Sequence, residues 1–146
     1  MSEILTRDLI IASGSATTKE EAIREAGGLL VKAGAVSAAY VDAMEERESK
    51  VSTYMGNYLA IPHGTNEAKE AIKRSAISLV RYAQPINWGE GMPVRIVAGI
   101  AGVNNEHLGI LSKIAVIFSD EDEAQKLLNA PDVDAIYDTL EKVNAE

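Results

Sequence analysis

The 146 residues contain two histidines, His63 and His107, and each falls where an apolar run meets a turn. His63 stands in LAIPHGT, residues 59–65, between a Pro and a Gly. His107 stands in GIAGVNNEHLGILSKIA, residues 99–115. Pro62 biases Ile61 toward extended backbone and has no N–H to donate, so a strand should end there. Gly64 lets the chain bend away with no Cβ in the way. His63 is therefore expected at a strand end on a sharp turn, a common place for chemistry in open α/β sheets. His107 follows a strand-like run and opens an apolar helix, whose free N–H groups and partial positive charge favour an anion. Arg47 closes a helix-like run in EERESKVSTYMGN, residues 45–57.

These residue types suit phosphoryl transfer. Imidazole is a good nucleophile at neutral pH and forms a reversible phosphoramidate. The reacting nitrogen must be unprotonated, so the other must hold the proton and donate it to a fixed acceptor. A guanidinium can clamp a phosphoryl group with two hydrogen bonds. The chemistry then needs positioning and charge stabilisation more than further covalent steps. Each residue also has a plain structural reading, and on these residues alone it stays open. His63 could cap a helix begun by Gly64-Thr65-Asn66-Glu67. His107 could be a first-turn surface residue beside Glu106. Arg47 could be a solvated charge between Glu46 and Glu48. A metal site from His63, His107 and Glu106 has no repeated ligand spacing behind it, so neither metal nor other cofactor is expected. No GxxxxGK[ST] pattern occurs, so the chain does not look built to bind ATP.

The flanking pattern alternates between strand-like and helix-like runs. Leu9-Ile10-Ile11 is a short apolar run. Thr18 and Glu21 form a capping-box pattern ahead of a helix with Ala22, Ile23, Ala26, Leu30 and Ala33 on one face, and Gly34 marks its end. Residues 37–48 predict a second helix with a Tyr40, Val41, Met44 stripe. Strands are expected at Tyr58–Ile61, Ala76–Tyr82 and Val94–Ala101. A helix over about Glu106–Phe118 would carry Leu108, Leu111, Ala115 and Phe118 on one face. EDEAQKLLNA and VDAIYDTLEKVN supply two more, separated by Pro131. Trp88, in QPINWGEGMP, reads as packing. Helices before and after the strands can cover both faces of a sheet, so the expected fold is α/β (α+β type): a three-layer α/β/α sandwich around a mixed sheet of about four to five strands.

Composition bounds the function. At 47% apolar residues the chain can build a core. It has no cysteine, which removes disulfides, thiolate metal ligands and a cysteine nucleophile, and suits a reducing cytoplasm. With 22 acidic against 14 basic residues and a net charge of -8, it is a poor partner for nucleic acid or an anionic membrane surface. No apolar run approaches the ~18 residues of a membrane span, and the N-terminal MSEILTRDLI has no signal-like apolar region.

RESKVSTYMGN, AIPHGT and GIAGVNNEHLGILSKIA together resemble the enzyme IIA component of the bacterial phosphoenolpyruvate-dependent sugar phosphotransferase system, of the mannitol/fructose type. The likeness covers nearly the whole chain, and the PHG and NEH signatures at this spacing are specific. It implies one IIA domain over residues 1–146 and a mixed sheet sandwiched by helices. It also implies that His63 is the phosphorylated residue, supported by His107 and Arg47. The donor would be the histidine-containing phosphocarrier protein HPr, and the acceptor a cysteine on a IIB component of a separate IIBC membrane permease. STYMGN and NNEH look more like the mannitol branch than the fructose or nitrogen-regulatory branches. A fructose-specific IIA, or a regulatory protein switched by His63 phosphorylation, remains the alternative. Without a cysteine or a membrane span, IIB and IIC are not expected within these residues. The resemblance thus implies a cytoplasmic carrier with transient interfaces.

Overall fold

A computed structural model describes residues 4–50, 52–64, 70–89, 91–103 and 106–141, with only the backbone of His107 described. The described residues form, in chain order, β1 (Ile10–Ile11), α1 (Lys19–Lys32), α2 (Ala38–Lys50), β2 (Tyr54–Gly56), β3 (Leu59–Ala60), β4 (Ala76–Asn87), β5 (Pro93–Ala101), α3 (His107–Ser119), α4 (Glu121–Asn129) and α5 (Val133–Leu140). The sheet order is β1-β4-β5-β3-β2. β1 runs parallel to β4 and β3 parallel to β5, while the β4–β5 and β2–β3 pairs are antiparallel, so the sheet is mixed as expected.

The strand alternation shows the three layers. Side chains two apart share a face and neighbours take opposite faces. Ser78 of β4 donates to the Ala26 carbonyl of α1 at 2.7 Å, while Arg81, on the other face, donates to the Leu127 and Ala130 carbonyls at the end of α4. The central strands are covered on both sides. Ile77, Leu79, Val80, Ile96, Val97 and Ile100 are all essentially inaccessible, which accounts for their continuous apolar sequence.

Helix ends follow the local chemistry. Thr18 caps α1 by accepting from the Glu21 N–H at 3.2 Å. Glu21 reaches back one residue further than a capping box requires, to the Thr17 N–H and hydroxyl at 3.1 Å, and these bonds hold its carboxyl below the usual range. At the other end Gly34 takes φ +78°, with Gly34 N–H on Val31 O and Ala35 N–H on Leu30 O. That is a Schellman termination, which needs a left-handed residue. Asp132 caps α5 immediately after Pro131.

Four expectations need correction. The sheet has five strands, within the expected number, but one of them, β2, forms at Tyr54–Gly56, where no strand was expected; at three residues on a sheet edge it has no apolar alternation to show. Tyr58 does not start a strand. It takes φ +66° in a turn with Asn57 at +50° and Gly56 at +85°, and β3 begins at Leu59 and ends at Ala60. β4 continues past Tyr82 to Asn87 because a register shift between Arg81 and Ile86 accommodates Pro85. Finally, α3 buries Ile110, Ile114, Ile117 and Phe118, whereas Leu108 is 61% exposed and Leu111 and Ala115 are half-buried. A helix apolar nearly all round carries no unique stripe, so its inward face is set by the sheet. The suggested helix over Thr65–Glu67, the Asn104-Asn105 pair and the final residues of VDAIYDTLEKVN lie outside the described residues.

Candidate functional site

β3 and β5 are parallel, so their C-terminal ends lie at one edge of the sheet. The chain leaving β3 stays pinned to β5 for three more residues. The Ile100 N–H donates to the Pro62 carbonyl at 3.0 Å, and His63 forms a parallel bridge with Ile100. His63 therefore sits at a strand end, half-buried. Its Nδ1 lies 3.0 Å from the Ile61 carbonyl oxygen. A carbonyl can only accept, so Nδ1 carries the proton, and in the neutral ring the unprotonated nitrogen is Nε2.

The turn after His63 is held by Tyr40 of α2. The Gly64 N–H donates to the Tyr40 hydroxyl at 2.9 Å, and that hydroxyl donates to the Ile100 carbonyl at 2.6 Å. A Cβ on Gly64 would come within 2.5 Å of the Tyr40 ring, and the ring is buried and bonded at its tip. Glycine is required here by close approach rather than by a positive φ. Burial pushes the Tyr40 phenol up, against a smaller downward pull from the Gly64 N–H. The folded value thus exceeds the unfolded one. The stability this group contributes is present below pH ~10 and is lost as pH rises past that. Tyr40→Phe removes the acceptor of the half-buried Gly64 N–H and the donor to the buried Ile100 carbonyl. It should cost about 1–3 kcal/mol, read as a lower urea midpoint.

Arg47 lies on the same helix as Tyr40, seven residues on, which is about two turns along one face. It is half-buried. Its neighbour Glu48 is buried, only 4% exposed. The Glu48 carboxylate accepts from the Thr53 N–H at 2.8 Å, the Thr53 hydroxyl and the Trp88 indole N–H at 3.1 Å, with Lys19 Nζ at 3.6 Å. Trp88 is packed as expected, with Lys19 over its ring at 5.7 Å. The Thr53 carbonyl in turn accepts from the Ile61 N–H at 3.1 Å, which ties the end of α2 to the strand leading to His63.

The backbone of His107 opens α3 a few residues after β5 ends, so both histidines belong to the same edge of the sheet. The loop between is braced by Ser75. Its hydroxyl accepts from the Val103 N–H at 3.0 Å and donates to Glu106 at 2.9 Å. The Glu106 carboxylate is thus turned toward the start of β4. Tyr40, Glu48 and Thr53 carry this arrangement and were not singled out as site residues. The signals for them were faint: a Tyr seven residues before an Arg on one helix face, and an acid in the last turn, where the helix dipole opposes it.

The family model for the phosphoenolpyruvate-dependent sugar phosphotransferase system, EIIA 2, matches residues 3–143. The chain belongs to this EIIA 2 family. A mannitol-specific phosphotransferase enzyme IIA component from Halalkalibacterium halodurans is 49% identical over 141 residues, covering 97% of this chain and 97% of that one. Among solved structures, the crystal structure of IIA mannitol from Escherichia coli superposes with a TM-score of 0.86 at 37% identity, covering 92% of this chain and 97% of that one. The complex of enzyme IIAMTL with phosphorylated enzyme IIBMTL, also from Escherichia coli, gives a TM-score of 0.87 at 35% identity, covering 93% and 97%. The EIIA 2 fold is thus the mixed five-stranded α/β sandwich described above, and the chain is a component of a sugar phosphotransferase system. No helix among the described residues is long and apolar enough to cross a membrane.

Proposed function

We propose that this protein is a phosphoryl carrier that accepts phosphate from HPr on Nε2 of His63 and passes it to a IIB cysteine, in the uptake and phosphorylation of mannitol. One observation carries the reading: the Ile61 carbonyl accepts a hydrogen bond from Nδ1–H of His63, which leaves Nε2 as the unprotonated, nucleophilic nitrogen. In the first step the Nε2 lone pair attacks phosphorus, a new N–P bond forms, and the donor's N–P bond breaks with its electron pair returning to the donor ring. In the second step a cysteine thiolate attacks the same phosphorus, and the pair returns to Nε2. These 146 residues contain no cysteine, so the acceptor lies outside them. Arg47 offsets the phosphoryl charge with two hydrogen bonds, and His107, at the start of α3, supports the same group. The mannitol branch is supported by the 49% identity to a mannitol-specific relative. The IIB partner is supported by the IIAMTL–IIBMTL complex to which the fold is similar. A cytoplasmic location follows from the phosphoenolpyruvate-derived donor.

The reading is tested by incubating the protein with phosphorylated HPr and then with purified IIB domains. The expected result is an acid-labile, alkali-stable label that moves to a mannitol IIB cysteine faster than to a fructose IIB. Absence of label on the wild type would overturn it. His107→Ala should still accept label but pass it on several-fold more slowly in rapid-quench experiments, as for loss of one supporting hydrogen bond of roughly 1 kcal/mol. A stable phosphate found on His107 would reverse the two roles.

A further inference from the structure

We propose that Glu48 is a positioning residue for this site, acting through Thr53 and Ile61 to keep His63 in its Nδ1–H form. A buried carboxylate in the last turn of a helix stands against the negative end of the helix dipole and away from water. For stability alone, well-packed apolar side chains would serve as well as a buried ion pair. What Glu48 adds is direction. Lys19 and Trp88 hold the carboxylate from the α1 and β4–β5 sides. Its two remaining bonds both go to Thr53, one to the backbone N–H and one to the hydroxyl. Thr53 is thereby fixed so that its carbonyl receives the Ile61 N–H at 3.1 Å. The Ile61 carbonyl is the group that accepts the hydrogen bond from Nδ1–H, with Nδ1 and the oxygen 3.0 Å apart. The path from Glu48 to the imidazole therefore runs through Thr53, held at both its N–H and its hydroxyl, and then through the main chain of Ile61, and it ends on the carbonyl that accepts from Nδ1–H.

The proposal rests on the phosphoryl-carrier reading only for its kinetic arm; the tautomer can be read without any phosphate. Glu48→Gln and Thr53→Val would be compared with wild type by the ring 15N shifts of His63 and by single-turnover transfer from phosphorylated HPr. Both variants are expected to lower the Nδ1–H fraction of His63 and to slow transfer by roughly fivefold or more. Trp88→Phe keeps both Thr53 bonds and should lower the melting temperature while leaving the tautomer as in wild type. If Glu48→Gln does not fold, Thr53→Val carries the test, since it removes one hydroxyl and little volume. Tautomer and rate within about twofold of wild type in the folded variants would show that Glu48 only packs the helix end, and would overturn the proposal. So would a tautomer shift in Trp88→Phe as large as in Glu48→Gln, because general loosening would then explain both. If wild type accepts no phosphate, the carrier reading fails, and the ring shifts still decide the role of Glu48.

Discussion

Replacing His63 with alanine is expected to abolish phosphate uptake while leaving the fold intact. The side chain is half-buried at a strand end, and its Nδ1 bond runs to a carbonyl two residues back. Losing a local bond of this kind costs about 0.5–1.5 kcal/mol, well below the stability of a domain this size. The backbone bridge to Ile100 and the Tyr40 hydroxyl that holds Gly64 do not involve the imidazole. The chemistry has no such redundancy. The chain has no cysteine to act as a substitute nucleophile, and Nε2 of His63 is the nitrogen left with a lone pair by the Ile61 contact. Mass spectrometry under alkaline conditions, with circular dichroism as the control for folding, would give no phosphate and an unchanged spectrum. Label on His63→Ala would move the nucleophile elsewhere.

Arg47→Gln should slow phosphoryl transfer by roughly tenfold to a hundredfold, the effect of losing a charge-assisted hydrogen bond worth about 1.5–3 kcal/mol. The phosphoryl group brings about -1.5 to -2 charges. It arrives on a chain whose net charge is already -8. A cation at the site must offset that field. Arg47 is the arginine on the helix whose Tyr40 braces His63, and Glu48 anchors that helix end beside it. Stability should fall by no more than about 1 kcal/mol, as for a partly exposed charge. Arg47→Lys should recover part of the rate, since an ammonium cannot make the two-pronged contact. Single-turnover rates equal to wild type for Arg47→Gln would make Arg47 an ordinary surface charge.

The parts of the fold governed by local chemistry were legible. Thr18 and Gly34 mark the ends of α1, Pro131 separates α4 from α5, and the Ile- and Val-rich runs are the central strands, because caps, breakers and buried strands leave their signature in a few adjacent residues. What depends on contacts between distant segments was not. The buried face of α3 is decided by the sheet it meets. β2 exists because β3 offers it an edge. At the site, the turn around Pro62, His63 and Gly64 could be read from residue types, but not the reason for Gly64, which is a Tyr ring from α2. Glu48 looked like one more acid in a run of charges, because nothing near it in sequence reveals that Trp88 and Lys19 converge on it.

That convergence makes Trp88 a clock for assembly. It is the only tryptophan in the chain, it is 2% exposed, and its indole N–H bonds to a helix forty residues earlier. The β4–β5 hairpin that carries it is closed by a short turn, with Trp88 N–H on Met92 O at 3.0 Å, so it involves little loop closure. The site instead depends on Tyr40 reaching Ile100 across sixty residues. Closing a contact of that span costs more loop entropy than closing the hairpin, so it is expected to form after it. During refolding, the indole should first bury partially with its own hairpin and then change emission again when α2 docks. The capacity to accept phosphate should return with the second phase and not with the first, and stopped-flow fluorescence paired with timed labelling would show the two arriving together.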